Sequence, residues 1–201
     1  MKKRLAVLVS NTGTGTNLQA IIDGIESKKI KATIVIVVSD TEKSLGLMRA
    51  KKYNLPIKIV PKKEGLLSAL KKYDPDFICL AGWKQIIVDK VISTYESKIL
   101  NIHPGLIPDT INGTIMNPDN TNALWNKGKL TNTAIKNFLD QKSTYAGSSI
   151  HFLTHEFDFG PVLGMCFEKI KTRDTIDTLY ARLKIKENQL YQNVLQKLCD
   201  E

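Results

Sequence analysis

The chain has 201 residues, 42% hydrophobic and 24% charged, which is enough to bury a core without disulfides and excludes disordered and fibrous classes. Lys and Arg number 29 against 20 Asp and Glu; residues 1–72 carry a net +10 and residues 73–201 a net −1. Such an excess suits an anionic partner such as a phosphate, a polyglutamate tail or nucleic acid, and equally a lysine-rich set of solvated helix faces.

Met1-Lys2-Lys3-Arg4 opens the chain. The apolar run behind it, Leu5–Val9, is too short for a signal-peptide core, and no stretch reaches the roughly 20 apolar residues of a membrane helix. Leu5–Val9 instead reads as a strand buried on both faces. A Gly- and Thr-rich turn leads to Asn17–Ser27, whose Leu18, Ile21, Ile22 and Ile25 have helical spacing. Thr33–Val38 reads as a strand, Lys43–Lys52 as a helix, Ile57–Val60 as a strand and Glu64–Lys72 as a helix. Phe77–Leu80 and Ile99–Ile102 are the next strands. This alternation predicts βαβ units, an α/β fold with a doubly wound, mostly parallel, Rossmann-like sheet.

Residues 104–145 break the pattern. They are rich in Pro, Gly, Asn and Thr, with helical patches only at Asn120–Trp125 and Thr133–Phe138, and a connection of this length is functional or mobile. Ser148–Leu153 then alternates apolar residues with outward polar ones, and Val162–Ile170 is a second extended run able to pair with it. Thr175–Leu198 is a long amphipathic helix. Three scattered cysteines, Cys79, Cys166 and Cys199, fit neither a disulfide framework nor metal-ligand spacing, so a reducing, cytoplasmic setting and no metal are expected.

Three clusters can carry chemistry. Ser10-Asn11-Thr12-Gly13-Thr14-Gly15-Thr16-Asn17 joins the first strand to the first helix, where backbone N–H groups and the helix terminus attract a small phosphate. It lacks both the dinucleotide glycine spacing and the P-loop lysine, and Thr16 or Asn17 serves equally well as an ordinary helix cap. Asn101 and His103 in Leu100-Asn101-Ile102-His103-Pro104 lie two apart at a strand end, where an amide and an imidazole can hold an oxyanion and shuttle a proton. A His–Pro strand end also occurs for structural reasons alone. The turn Thr154–Val162 offers Asp158 as partner for such a histidine, or as a residue bonding its own turn. His151, in Ser149-Ile150-His151-Phe152, is readable as a plain sheet residue.

Gly15-Thr16-Asn17-Leu18-Gln19-Ala20-Ile21, Leu80-Ala81-Gly82-Trp83, Leu100–Pro104, Gly147–Phe152 and Asp158-Phe159-Gly160-Pro161-Val162 occur in that order. Together they resemble the phosphoribosylglycinamide formyltransferase family, folate-dependent enzymes of purine synthesis, over nearly the whole chain. The resemblance implies one formyltransferase domain over 1–201, with a phosphate-binding half at 1–100. A catalytic and folate-binding half at 101–201 would include the long loop 104–145. It implies transfer of the formyl group of 10-formyltetrahydrofolate to the amine of glycinamide ribonucleotide through a tetrahedral intermediate, with Asn101, His103 and Asp158 catalytic. Gly15, Thr16, Asn17 and Glu187 would hold the phosphate and ribose; Glu187 reads equally as a surface carboxylate. Trp83, Lys84, Gln85, Ile86 and Ile87 would line the folate pocket.

The sequence departs from the family pattern at Lys84 and Gln85, where Met and Arg are usual. It departs most after His103, where Leu106-Ile107-Pro108-Asp109-Thr110-Ile111-Asn112-Gly113 replaces Leu-Leu-Pro followed by an aromatic–x–Gly and a His. Substrate access or the amine itself can differ accordingly. Two alternatives are a relative formylating an amino sugar or another amine, and a formyltetrahydrofolate hydrolase. A methionyl-tRNA formyltransferase is not the expected relative, because the predicted last helix leaves no stretch for that enzyme's additional C-terminal domain. A non-catalytic nucleic-acid binder would use the basic first third, yet RNP-like aromatics, zinc spacing and a helix-turn-helix pattern are lacking. Small-molecule substrates are therefore the expected partners, with no nucleic acid and no membrane, for a monomer or homodimer.

Overall fold

The computed structural model describes residues 2–10 and 14–200. The chain divides into two compact units, one running to Asn101 and resuming at Tyr191, the other Ile102–Leu190.

The first unit is built on apolar runs. β1 (Lys3–Val9) buries Leu5, Ala6, Val7, Leu8 and Val9 at no more than 1% exposure, so both of its faces are covered, as its unbroken apolar run demands. It pairs in parallel with β2 (Ala32–Ser39) on one side and β4 (Phe77–Leu80) on the other. β3 (Ile57–Ile59) adds to β2, and β5 (Ile99–His103) adds to β4, again in parallel. The order β3-β2-β1-β4-β5 reverses direction at β1. With right-handed crossovers, that reversal sends the connecting helices to opposite faces, the doubly wound plan expected from the sequence.

The helices of this unit are α1 (Thr16–Glu26), α2 (Leu45–Lys52), α3 (Leu66–Tyr73) and α4 (Asp89–Thr94). The helix expected over Glu64–Lys72 begins as a 3₁₀ turn at Lys63–Gly65 before α3 takes over. The six-residue α4 is too short to show a period and has no counterpart in the sequence reading. The last stretch of α6 (Ile176–Asp200) returns here: Tyr191, fully buried, donates its hydroxyl to the carbonyls of Leu80 and Leu100 at 3.2 and 3.4 Å.

In the second unit β6 (Tyr145–Phe152) and β7 (Val162–Lys169) pair antiparallel, as the two extended runs suggested. The strands β1–β5 are thus parallel and β6–β7 antiparallel. α5 (Thr131–Asp140) contains the helical patch expected over Thr133–Phe138 and extends it at both ends. The patch at Asn120–Trp125 is not helical. Asn120 (φ 63°) and Asn126 (φ 57°) are left-handed, and Met116 bridges Asn122 across a turn closed by Asp119 and Thr121. Asn side chains tolerate that conformation and bond locally, which ends a helix before it starts.

β6 also corrects the expected outward polar face. Ser148, Ser149 and His151 are all 0% exposed. The serines enter the core because their hydroxyls are used: Ser149 donates to the Gly105 carbonyl at 2.9 Å and accepts from the Ile107 N–H at 3.0 Å. Gly147 is required beside them, since a Cβ there would lie 2.6 Å from Leu106 Cδ2. Among the described residues no helix is long and apolar enough to cross a membrane.

Candidate active site

In the first unit the turn after β1 presents its polar groups at the carboxyl end of a parallel strand, the usual ligand position in such sheets. Ser10 is 2% exposed; its hydroxyl donates to Asp40 Oδ2 at 2.7 Å and accepts from the Lys84 N–H at 3.0 Å, tying this turn to the Trp83 segment. Asn11, Thr12 and Gly13 lie outside the described residues.

Gly15 is the residue before α1 and holds φ 71°, a conformation that costs a side chain but not glycine. A Cβ on it would also sit 2.8 Å from the Gly46 backbone. Neither Thr16 nor Asn17 caps the helix. Thr16 Oγ1 and Asn17 Oδ1 are buried and have no hydrogen-bond partner among the described residues, although Asn17 is only 3% exposed. Buried polar atoms are ordinarily satisfied, so the partner of each of these two atoms lies outside the described residues, in the chain itself or in a ligand. Arg49, absent from the sequence candidates, donates from Nε to the Thr14 carbonyl at 3.2 Å and from Nη1 to Gln19 Oε1 at 3.0 Å.

The segment after β4 turns at Gly82 (φ 90°). Trp83 Nε1 is buried without a partner among the described residues. Gln85 Nε2 donates to the Pro61 carbonyl at 3.1 Å, Ile86 is 69% exposed and Ile87 is buried at 7%. Ile86 is thus an exposed apolar side chain, whereas Ile87 belongs to the core.

In the second unit, the structure brings His103 and Asp158 together. His103 ends β5, two residues after Asn101, and is 2% exposed; its Nδ1 lies 3.5 Å from Asp158 Oδ1, at the loose edge of hydrogen bonding. Asp158 adopts φ 50° in the turn before β7, and its Oδ2 accepts from the Gly128 N–H at 2.8 Å. Burial works to raise this carboxyl. The His103 ring and the Gly128 N–H outweigh it and hold Asp158 below the ordinary carboxylate range. His151 nearby is pushed down to about 4, first by burial and then by repulsion from His103, and is neutral at physiological pH.

A contact that the sequence did not announce completes this cluster: His103 Nε2 lies 2.6 Å from the Trp125 carbonyl oxygen. The Trp125 indole donates to the Asp158 backbone carbonyl at 2.9 Å, and its ring packs 5.7 Å from that of Phe159. The only advance signal was a Trp in an otherwise polar loop. Glu187, 3% exposed, has a partner from within the unit on each oxygen: Ser148 Oγ donates to Oε1 at 2.7 Å and Lys184 Nζ to Oε2 at 3.0 Å. The Lys184–Glu187 spacing of three on one helix could have revealed that pair.

The first unit carries the doubly wound fold and the second unit the buried imidazole–carboxylate pair at a strand end, and the sequence pattern of the formyl transferase family matches residues 3–195. The chain belongs to that family. It is 31% identical over 204 residues to the bovine (Bos taurus) trifunctional purine biosynthetic protein adenosine-3, covering 97% of this chain and 18% of that protein. The chain therefore spans less than a fifth of the bovine relative's length. It is 30% identical over 205 residues to the phosphoribosylglycinamide formyltransferase of Escherichia coli, covering 98% of this chain and 87% of that enzyme. The crystal structure of glycinamide ribonucleotide transformylase 1 from Symbiobacterium toebii superposes with a TM-score of 0.84 at 27% identity, over 99% of this chain and 88% of that one.

Proposed function

We propose that the chain, working as a single formyltransferase domain, transfers the formyl group of 10-formyltetrahydrofolate to the amine of glycinamide ribonucleotide in purine biosynthesis. The observation that carries this reading is the His103–Asp158 pair, an imidazole 2% exposed at the carboxyl end of a parallel strand with a carboxylate 3.5 Å away.

The substrate amine attacks the formyl carbon, the new C–N bond forms and the carbonyl π electrons move to oxygen. The Asn101 amide and the protonated His103 ring stabilise that oxyanion. Asp158 orients the ring and takes part in moving the amine's proton to the folate nitrogen as the old C–N bond breaks, releasing tetrahydrofolate and the N-formyl product. Gly15, Thr16 and Asn17 bind the phosphate, in keeping with the two unsatisfied buried oxygens and the positive end of α1. Trp83, Lys84, Gln85 and Ile86 meet the folate, with Ile87 supporting them from the core.

Glu187 would accept from the ribose hydroxyls through the acceptor capacity left on its oxygens beside Ser148 and Lys184. The substrates are small molecules, the assembly is a monomer or homodimer, and the setting is the cytoplasm, where the free, buried Cys79, Cys166 and Cys199 stay reduced.

The test is incubation with 10-formyltetrahydrofolate, or its dideaza analogue, and glycinamide ribonucleotide while folate absorbance is followed. Formyl transfer to that amine is expected. Turnover on an amino sugar with none on glycinamide ribonucleotide overturns the substrate, and folate consumption without an amine makes the chain a hydrolase.

A further inference from the structure

We infer that Trp125 is a positioning residue for the His103–Asp158 pair: its carbonyl fixes one proton of His103 on Nε2 and leaves Nδ1 as the nitrogen that exchanges protons during the reaction. This rests on the formyl-transfer reading above and adds to it a group from the segment in which this chain departs most from the family pattern.

A backbone carbonyl only accepts, so at 2.6 Å from the Trp125 oxygen the Nε2 atom must carry hydrogen in both charge states of the ring. The neutral form is thereby the Nε2–H tautomer, and the lone pair falls on Nδ1, 3.5 Å from Asp158 Oδ1. That looser contact is the one able to open toward a reacting oxygen. Proton uptake puts the second hydrogen on Nδ1, between the carboxylate and the oxyanion, where it is useful.

Three further contacts make the arrangement a clasp. The indole N–H holds the Asp158 carbonyl at 2.9 Å, and the Gly128 N–H holds Asp158 Oδ2 at 2.8 Å, which leaves Oδ1 for the ring. Asn126 anchors the clasp from behind: its amide donates to the Pro104 carbonyl at 3.1 Å and its oxygen accepts from Asn137 Nδ2 at 2.8 Å. Gly105 permits the close approach, because a Cβ there would lie 1.8 Å from the Trp125 oxygen.

Among the described residues, the ionisable groups that interact with His103 include Asp158 on the turn before β7 and His151 on β6. The clasp's own Lys127 is paired with Glu156 at 2.7 Å. With His151 neutral, Asp158 is the charge that His103 meets.

The chain has three histidines, so the ring nitrogens can be read directly by long-range ¹H–¹⁵N correlation on ¹⁵N-histidine-labelled full-length protein. The His103 signals are identified by their loss in His103→Gln. In the neutral state Nε2 is expected protonated and Nδ1 not; an Nδ1–H tautomer, or an averaged pair, overturns the inference whether or not the protein transfers formyl groups. In Trp125→Phe, which keeps the carbonyl and an aromatic ring but loses the indole N–H, kcat is expected to fall about fivefold, the worth of one neutral hydrogen bond. Both KM values should hold and the acid limb of the kcat profile should move. A rise in KM at constant kcat would make Trp125 a pocket wall and overturn the positioning role. Asn126→Ala should lower kcat and mix the tautomers; a higher kcat would mean that the clasp holds the site shut, which also overturns it. Failure of the first assay with glycinamide ribonucleotide, alongside the Nε2–H tautomer, would sink the substrate assignment and leave the ring geometry standing.

Discussion

Ser148 Oγ donates to Glu187 Oε1 at 2.7 Å, and the other carboxylate oxygen accepts from Lys184 Nζ at 3.0 Å. A carboxylate 3% exposed keeps its charge only with such partners. Burial works to lower the Lys184 ammonium, and Glu187 more than reverses that, so the lysine stays charged. Removing the cation strands a buried anion. Lys184→Met is therefore expected to cost about 3 kcal/mol, read as a drop of roughly 6–12 °C in Tm, whereas Ser148→Ala should cost about 1 kcal/mol. An unchanged Tm in Lys184→Met would show that Glu187 is neutral or reached by water.

The fold was legible wherever burial imposes a period. Leu5–Val9, Ile34–Val38 and Phe77–Leu80 are unbroken apolar runs, and each lies within a strand of the parallel sheet. Residues 113–126 obey no period, because Asn117, Asp119 and Thr121 satisfy the backbone through short-range side-chain bonds. Ser148, Ser149 and His151 misled because alternation reports polarity, while burial depends on whether a partner waits inside. In the site, His103 and Asp158 were visible as side chains in recurring motifs. The Trp125 contact was not, since a backbone carbonyl leaves no mark on residue identity.

Asp158 carries a pH signature. Its folded-state pKa lies below the unfolded value of about 3.9, because His103 and the Gly128 N–H outweigh burial. As pH falls, the unfolded chain takes up this proton before the folded one does. The contribution is thus complete above about pH 5 and is lost below it. The stability difference between the wild-type chain and Asp158→Asn, from urea midpoints, should shrink from about pH 5 to about pH 3. A difference independent of pH would mean that the His103–Asp158 contact stabilises no charge.

Two left-handed glycines separate backbone strain from crowding. Gly128 has φ 76° and nothing within 4 Å of an added Cβ, whereas Gly15 has φ 71° and the Gly46 Cα at 2.8 Å. Gly128→Ala should cost about 1–2 kcal/mol, the strain alone. Gly15→Ala should cost about 3 kcal/mol, because α2 must also give way. Equal losses in denaturant unfolding would contradict the crowding at Gly15.

Arg49 braces the same turn. Its Nε holds the Thr14 carbonyl at 3.2 Å and its Nη1 holds Gln19 Oε1 at 3.0 Å, while the Gln19 amide closes the first turn of α1 on the Gly15 carbonyl at 3.0 Å. Gln19 Nε2 is itself spoken for, by Asp23 Oδ1 at 2.7 Å and the Tyr53 hydroxyl at 3.0 Å, so the guanidinium is the movable member of the set. Removing it loosens the backbone before α1 and takes a positive charge from that end of the helix, which under the proposed phosphate role weakens the hold on the anion. Neither loss touches the reacting atoms. Arg49→Met should therefore raise the KM for the phosphate-bearing amine about fivefold, the worth of one hydrogen bond, while kcat and the KM for the folate stay near their wild-type values. If the proposed phosphate site is this turn, inorganic phosphate competes there and its inhibition constant should rise in parallel. A fall in kcat at constant KM would place Arg49 with the reacting groups instead, and equal phosphate inhibition of both proteins would remove the phosphate from this turn.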